Sequence, residues 1–217
     1  AEQAAETGQW LTAMSLYRGL EALFQDHARY RERARNVARH IRLLRFYAPR
    51  AYEEQLQQRA AGPTNQEDQP VIVDRETWRE KLKGIEQSML LQTLHHTALK
   101  HVSDCGFRPL LVGAINAITI LLDTPGLEDT FASLDDDQKV REFREDLLAL
   151  QGSIEQRTNK LGFGEVERLV DRIVKFNAMT VNLPEQVMIF ELVDGALATL
   201  DDFTAVIWPR EKTRFSR

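Results

Sequence analysis

Pro109-Leu110-Leu111-Val112-Gly113-Ala114-Ile115-Asn116-Ala117-Ile118-Thr119-Ile120-Leu121-Leu122 carries no charge, and its only polar side chains are Asn116 and Thr119. At 100° per residue its Leu, Ile, Val and Ala side chains point in nearly every direction, so a helix here has no solvent face and must be enclosed by other elements. Proline at its start fits, because a first-turn residue has no intrahelical partner for the missing N–H. The run is too short to cross a bilayer, which takes about 20 apolar residues. A central buried helix surrounded by other helices is therefore predicted, and the rest of the chain supplies the surroundings.

Downstream, Asp123-Thr124-Pro125-Gly126 reads as a turn. Ser133-Leu134-Asp135-Asp136 has the capping-box pattern ahead of a helix over 136–158. Gly162 and Gly164 bracket the next boundary, a helix follows over 165–179, and Asn182-Leu183-Pro184-Glu185 caps another that runs to about Leu200. The tail 201–217 lacks helical periodicity, and Val206-Ile207-Trp208-Pro209 reads as extended. Upstream, Asp74 is a plausible cap for one long helix over 75–102, which Asp104-Cys105-Gly106 stops.

Three shorter helices precede these. Trp10, Ala13, Met14, Tyr17, Leu20, Leu23 and Phe24 form one apolar face. Over 29–47, Tyr30, Ala34, Val37, Ala38, Ile41, Leu44 and Phe46 or Tyr47 are expected inward, with six arginines largely outward. Pro49 opens a third helix over 51–61. The segment 62–74 has two prolines and a polar first half, so it reads as a linker. Val71-Ile72-Val73 is too isolated to make a sheet. The prediction is all-α with roughly eight helices: a helical hairpin region over 1–61, the linker 62–74, and a multi-helix bundle with an extended C-terminal tail over 75–217.

The chain has 217 residues, 43% of them apolar, which is enough for one large core or two small ones. Its net charge of -5 argues against a nucleic-acid or anionic-membrane binder. Residues 1–61 hold ten Arg and seven acids, so this end is mildly basic and the remainder carries -8. A single cysteine, Cys105, excludes an internal disulfide. The chain starts at Ala1, compatible with a removed signal segment or an excised piece.

Candidate chemistry is sparse. His95, His96, His101 and Cys105 crowd one helix and its end, with His101 and Cys105 one turn apart; two ligands fall short of the four a closed zinc site needs, and Asp104 cannot be oriented from sequence. The arginine helix could track phosphates, but Glu32, Glu53 and Glu54 lie close by, and a solvated face explains the pattern. Asp135-Asp136-Asp137, with Glu128 and Asp129, lacks the alternation and glycine of a calcium loop and reads as helix N-terminal electrostatics. Thr124-Pro125-Gly126 has no glycine-rich phosphate loop before it. Ser15, Ser88, Ser103, Ser133, Ser153 and Ser216 stand in no Ser-x-x-Lys or Gly-x-Ser-x-Gly setting. No catalytic, cofactor-binding or metal residue is therefore assigned, and no cofactor is expected.

Two stretches carry resemblances. Gly8-x-Trp10-x-x-Ala13-x-x-x-Tyr17-x-x-Leu20 resembles the second-helix pattern of a tetratricopeptide repeat, where small and aromatic residues interlock paired helices. Leu183-Pro184-Glu185-Gln186-Val187, with Phe190-Glu191-Leu192-Val193-Asp194-Gly195-Ala196-Leu197-Ala198-Thr199-Leu200-Asp201-Asp202-Phe203-Thr204, resembles the N-terminal helical segment of carboxyl-terminal processing, or tail-specific, serine proteases. There a helix with a Gly-Ala-Leu step ends in Leu-Asp-Pro-aromatic-Ser/Thr before a peptide-recognition domain; Asp202 stands where the family has proline. Gly113-Ala114-Ile115 is a fainter echo. The resemblance implies a noncatalytic region of a serine endopeptidase, serving dimerisation, substrate gating or placement of downstream domains. The nucleophile and its lysine base lie beyond these residues, and the setting implied is periplasmic. The alternative is a stand-alone helical scaffold or peptide-binding adaptor, in a cytoplasmic setting. Either way the expected partners are protein or peptide, a homodimer included, with no nucleic acid and no membrane span.

Overall fold

The computed structural model describes residues 1–24, 28–60, 76–100, 105–200 and 204–210. Among them the chain is all-α, with ten helices, eight of seven residues or more, and no strand. The helices are α1 (Glu2–Glu6), α2 (Trp10–Leu23), α3 (Ala28–Tyr47), α4 (Pro49–Ala60), α5 (Trp78–Lys81), α6 (Gln87–Lys100), α7 (Phe107–Leu122), α8 (Asp137–Glu155), α9 (Phe163–Met179) and α10 (Glu185–Leu197). The expected linker 62–74, the Asp74 cap and the Val71-Ile72-Val73 run lie outside the described residues.

Two compact units form. The first joins α1 to α4 with the loop Asp123–Thr130. Its core holds Trp10, Ala13 and Tyr17 from α2, Val37, Leu43, Leu44 and Tyr47 from α3, and Leu127 from the loop. Two features seat that loop. Gly126 has φ +92°, and a Cβ there would stand 3.1 Å from the Ala51 Cβ and 3.3 Å from a Leu44 methyl, so glycine is needed for conformation and space alike. The Thr130 hydroxyl donates to the Tyr47 carbonyl at 2.9 Å, occupying an end carbonyl of α3.

The second unit contains α5 to α10. The uncharged run forms α7 as the sequence predicts, with Leu110, Leu111, Ile115, Ile118 and Leu121 almost fully buried. Phe143, Leu147, Leu150 and Ile154 of α8 and Val187, Met188, Ile189, Leu192 and Val193 of α10 complete the interior with Val166, Val170 and Ile173 of α9. Each such side chain is worth about 1.5–3 kcal/mol on full burial, so this interior dominates the unit's stability.

Three readings of the sequence are corrected. The single helix expected over 75–102 is two: α5 ends at Lys81, a turn that includes Gly84 at φ +85° follows, and α6 starts at Gln87. Helical periodicity persists across that turn because the buried Leu82 and Ile85 serve it as well as they would a helix. The α5 cap is Thr77, whose hydroxyl accepts from the Glu80 N–H while Glu80 accepts from the Thr77 N–H at 2.7 Å. On α3, Ala38 is exposed, and His40 with Leu43 turns inward. Ahead of α8, Ser133 sits inside a single 3-10 turn, Ala132–Asp135, and Asp136 is the cap, accepting from the N–H groups of Gln138 and Lys139 at 3.2 Å each.

Candidate functional site

Among the described residues, those singled out by sequence do not assemble. His95 packs its ring edge-on to Phe163, centroids 4.7 Å apart, and stands 6.0 Å from the His96 ring. Cys105 is half-buried, while His101, Asp104 and Ser103 lie outside the described residues. Among the described residues no three His, Cys, Asp or Glu side chains are grouped to hold a metal. The arginine face of α3 is partly neutralised within its own unit: Arg29 and Arg33 reach Glu2 at 3.1 and 3.8 Å, and Arg31 reaches Glu21 at 3.1 Å. Asp136 is spent on its cap, and those N–H groups hold its carboxyl below the usual range. Glu128 accepts from the Gly126 N–H at 2.6 Å, and Ser153 donates to the Leu150 carbonyl at 2.6 Å.

In the first unit a polar cluster forms that sequence reasoning missed. His40, 8% exposed, lies flat on the Trp10 indole, centroids 3.7 Å apart and planes 4° from parallel. Its Nδ1 is 2.7 Å from the Thr124 Oγ1, and Thr124 is itself 2% exposed. Burial, with the field of Arg39 adding to it, pushes the imidazole down to about 4. The ring is thus neutral at pH 7, and the stack joins two uncharged faces. The Trp10 N–H and the Tyr17 hydroxyl are buried with no hydrogen-bond partner among the described residues. Such a group costs about 1–3 kcal/mol, which the large aromatic area buried at the same place offsets. A neutral, inward, stacked histidine of this kind locks α2, α3 and the loop together. Its signal in the sequence was its spacing from Val37, Leu43, Leu44 and Tyr47, which puts it on the apolar stripe.

In the second unit the stretch 183–200 is organised around one helix. Asn177, near the end of α9, donates its amide to the Leu183 carbonyl and accepts from the Leu183 N–H, both at 2.9 Å, and is 4% exposed. This clamp, with Asn182 at φ +45°, turns the chain into α10. Asn182 does not cap α10; Pro184 occupies the cap position and no side chain bonds there. Along α10 nine residues are buried, including Glu191.

Close to the C-terminal end, α10 meets α7 backbone to backbone. A Cβ on Gly113 would stand 2.5 Å from the Gly195 carbonyl oxygen, and one on Gly195 would strike the Gly113 carbonyl and the Ala117 methyl and sit 3.1 Å from the Ala114 Cα. The two Gly-Ala steps noted in the sequence therefore face each other, a relation that spacing alone does not give. Beyond α10, residues 204–208 follow no helix or strand. Trp208 lies against Phe190 of α10, ring centroids 5.4 Å apart, and Arg210 donates to Glu76 at 2.8 Å. The position of Asp202 lies outside the described residues.

Compared with protein families, with curated proteins and with solved structures, the chain matches none.

Proposed function

We propose that this chain is the noncatalytic helical N-terminal region of a carboxyl-terminal processing serine protease, acting in dimerisation, substrate gating or the placement of downstream peptide-recognition and catalytic domains. The observation that supports this reading is the seating of 183–210. The helix bearing the Gly-Ala-Leu step is buried along its length, crosses α7 at Gly195, and is followed by a segment anchored through Trp208 and Arg210. A rod fixed at both ends delivers the following chain at a defined point and direction, which is what a region that positions other domains requires.

The test combines the intact mass of the native gene product with cleavage of an unfolded substrate. A product that carries a downstream Ser/Lys catalytic domain and cleaves, while residues 1–217 alone do not, is the expected result. A gene product ending at Arg217, or cleavage by this chain alone, overturns the reading. A second reading, a stand-alone helical scaffold or peptide-binding adaptor, draws support from the first unit: Trp10, Ala13 and Tyr17 of the tetratricopeptide-like pattern are three of the four residues that α2 buries.

A further inference from the structure

The second unit belongs to the acidic part of the chain, yet one helix face on it is cationic. Arg168, Arg172 and Lys175 recur at four- and three-residue steps on α9, opposite the side that buries Val166, Val170 and Ile173. With Asp171, Phe176 and Met179 they line a groove of about 330 Å³. None of the three cations forms an ion pair among the described residues. Asp171 accepts from the Gln87 amide at 2.7 Å, so the one carboxylate in the groove is engaged by a neutral donor from α6. The Arg172 guanidinium lies 4.8 Å from the Phe176 ring centroid, which props it over an aromatic face. Met179, at the far end, is 78% exposed, the most exposed large apolar side chain among the described residues.

We propose that this face of α9 is a docking groove for an acidic amphipathic segment of a protein partner, with carboxylates at three- or four-residue spacing set against Arg168, Arg172 and Lys175 and a large apolar side chain seated on Phe176 and Met179. Charge complementarity selects the occupant. Unpaired guanidinium groups favour carboxylates or phosphates, and their fork geometry rewards paired oxygens. The length selects among anions. From Arg168 to Met179 the helix rises only ~17 Å, at about 1.5 Å per residue, which suits a short peptide. A nucleic acid or an anionic membrane would bring many charges against a chain of net charge -5, whose field opposes them beyond the groove. The apolar end gives a peptide side chain a seat, where Met supplies an adaptable contact. The groove stands apart from the protease reading and is tested separately from it.

The experiment uses the whole chain and a fluorescein-labelled helical peptide carrying Glu at three- and four-residue steps with a Leu one turn beyond. Fluorescence anisotropy is expected to show saturable binding that weakens with added salt. Arg172→Glu/Lys175→Glu should weaken it about tenfold or more, and Met179→Ser about threefold, since a partner side chain loses its apolar seat. The charge-removing pair Arg172→Gln/Lys175→Gln should fall between parent and reversal; all these side chains except Phe176 are exposed, and circular dichroism checks that folding is kept. The proposal is overturned if the peptide does not bind, if the charge variants bind it like the parent, or if a single-stranded oligonucleotide or vesicles of anionic lipid bind more tightly than the peptide.

Discussion

Replacing Gly195 by Ala isolates the crossing of α7 and α10. The added methyl group meets the Gly113 carbonyl, the Ala117 methyl and, at 3.1 Å, the Ala114 Cα. Two of the three are backbone, so no rotamer change relieves the overlap and the helices must separate by several tenths of an ångström. Such a gap forfeits about a quarter of the dispersion energy of the atoms along the seam, and overpacking of this kind costs about 1–3 kcal/mol, here at the upper end. Against that, alanine is the better helix former by about 1 kcal/mol. The net expectation is a loss of about 2 kcal/mol. Gly152→Ala is the internal control: the same atoms are added within α8, where nothing lies within 4 Å, so only the propensity gain of about 1 kcal/mol remains. Urea unfolding followed by circular dichroism reads both. With a slope of about 2 kcal/mol per molar urea, the Gly195 variant should unfold near 1 M earlier, roughly, and the Gly152 variant about 0.5 M later. A Gly195→Ala protein as stable as the parent would show that the backbones do not touch and would remove the basis for treating α10 as a fixed rod.

Three further perturbations follow from the same geometry. Because burial lowers the His40 imidazole from 6.5 to about 4, the unfolded chain binds the proton first as pH falls. The neutral ring's contribution is complete above about 6.5 and is lost between there and about 4, on the order of 3 kcal/mol for the first unit. Urea titrations at several pH values, read through Trp10 in a Trp78→Phe/Trp208→Phe background, should give that slope, and His40→Phe should flatten it. Asn177→Ala strips both bonds to Leu183 and leaves a buried donor and acceptor unmet, so a loss of about 2–3 kcal/mol in thermal unfolding is expected. Trp208→Ser removes the ring that rests on Phe190, and limited proteolysis should then cut within 204–210 faster than in the parent, with the core helices untouched.

Much of the helical pattern is local chemistry and could be read directly. A run without charge, as in α7, has one stable fate in water, and the 3.6-residue repeat of α2 marks the side that buries Trp10, Ala13 and Tyr17, although Leu23 and Phe24, expected on the same face, are exposed and Leu11 is buried instead. Boundaries were less secure where two local signals competed. The α5–α6 turn keeps apolar residues in helical register while Gly84 adopts a conformation that only the folded backbone reveals. The cap of α8 went to Asp136 rather than Ser133 because a 3-10 turn fits between them.

Sequence by itself determined that this chain is all-α, which helix is enclosed, and that several helices carry one apolar and one charged face, since those outcomes depend on side chains a turn or less apart. Only the tertiary structure decided that Thr124 would close over His40, that Gly113 and Gly195 would meet, and that three cations of α9 would form no ion pair among the described residues. Each depends on groups far apart in the chain arriving within a few ångströms of each other, or failing to. The sequence separation of 84 between His40 and Thr124 carries no periodicity that encodes their 2.7 Å contact; the packing of the core around them does.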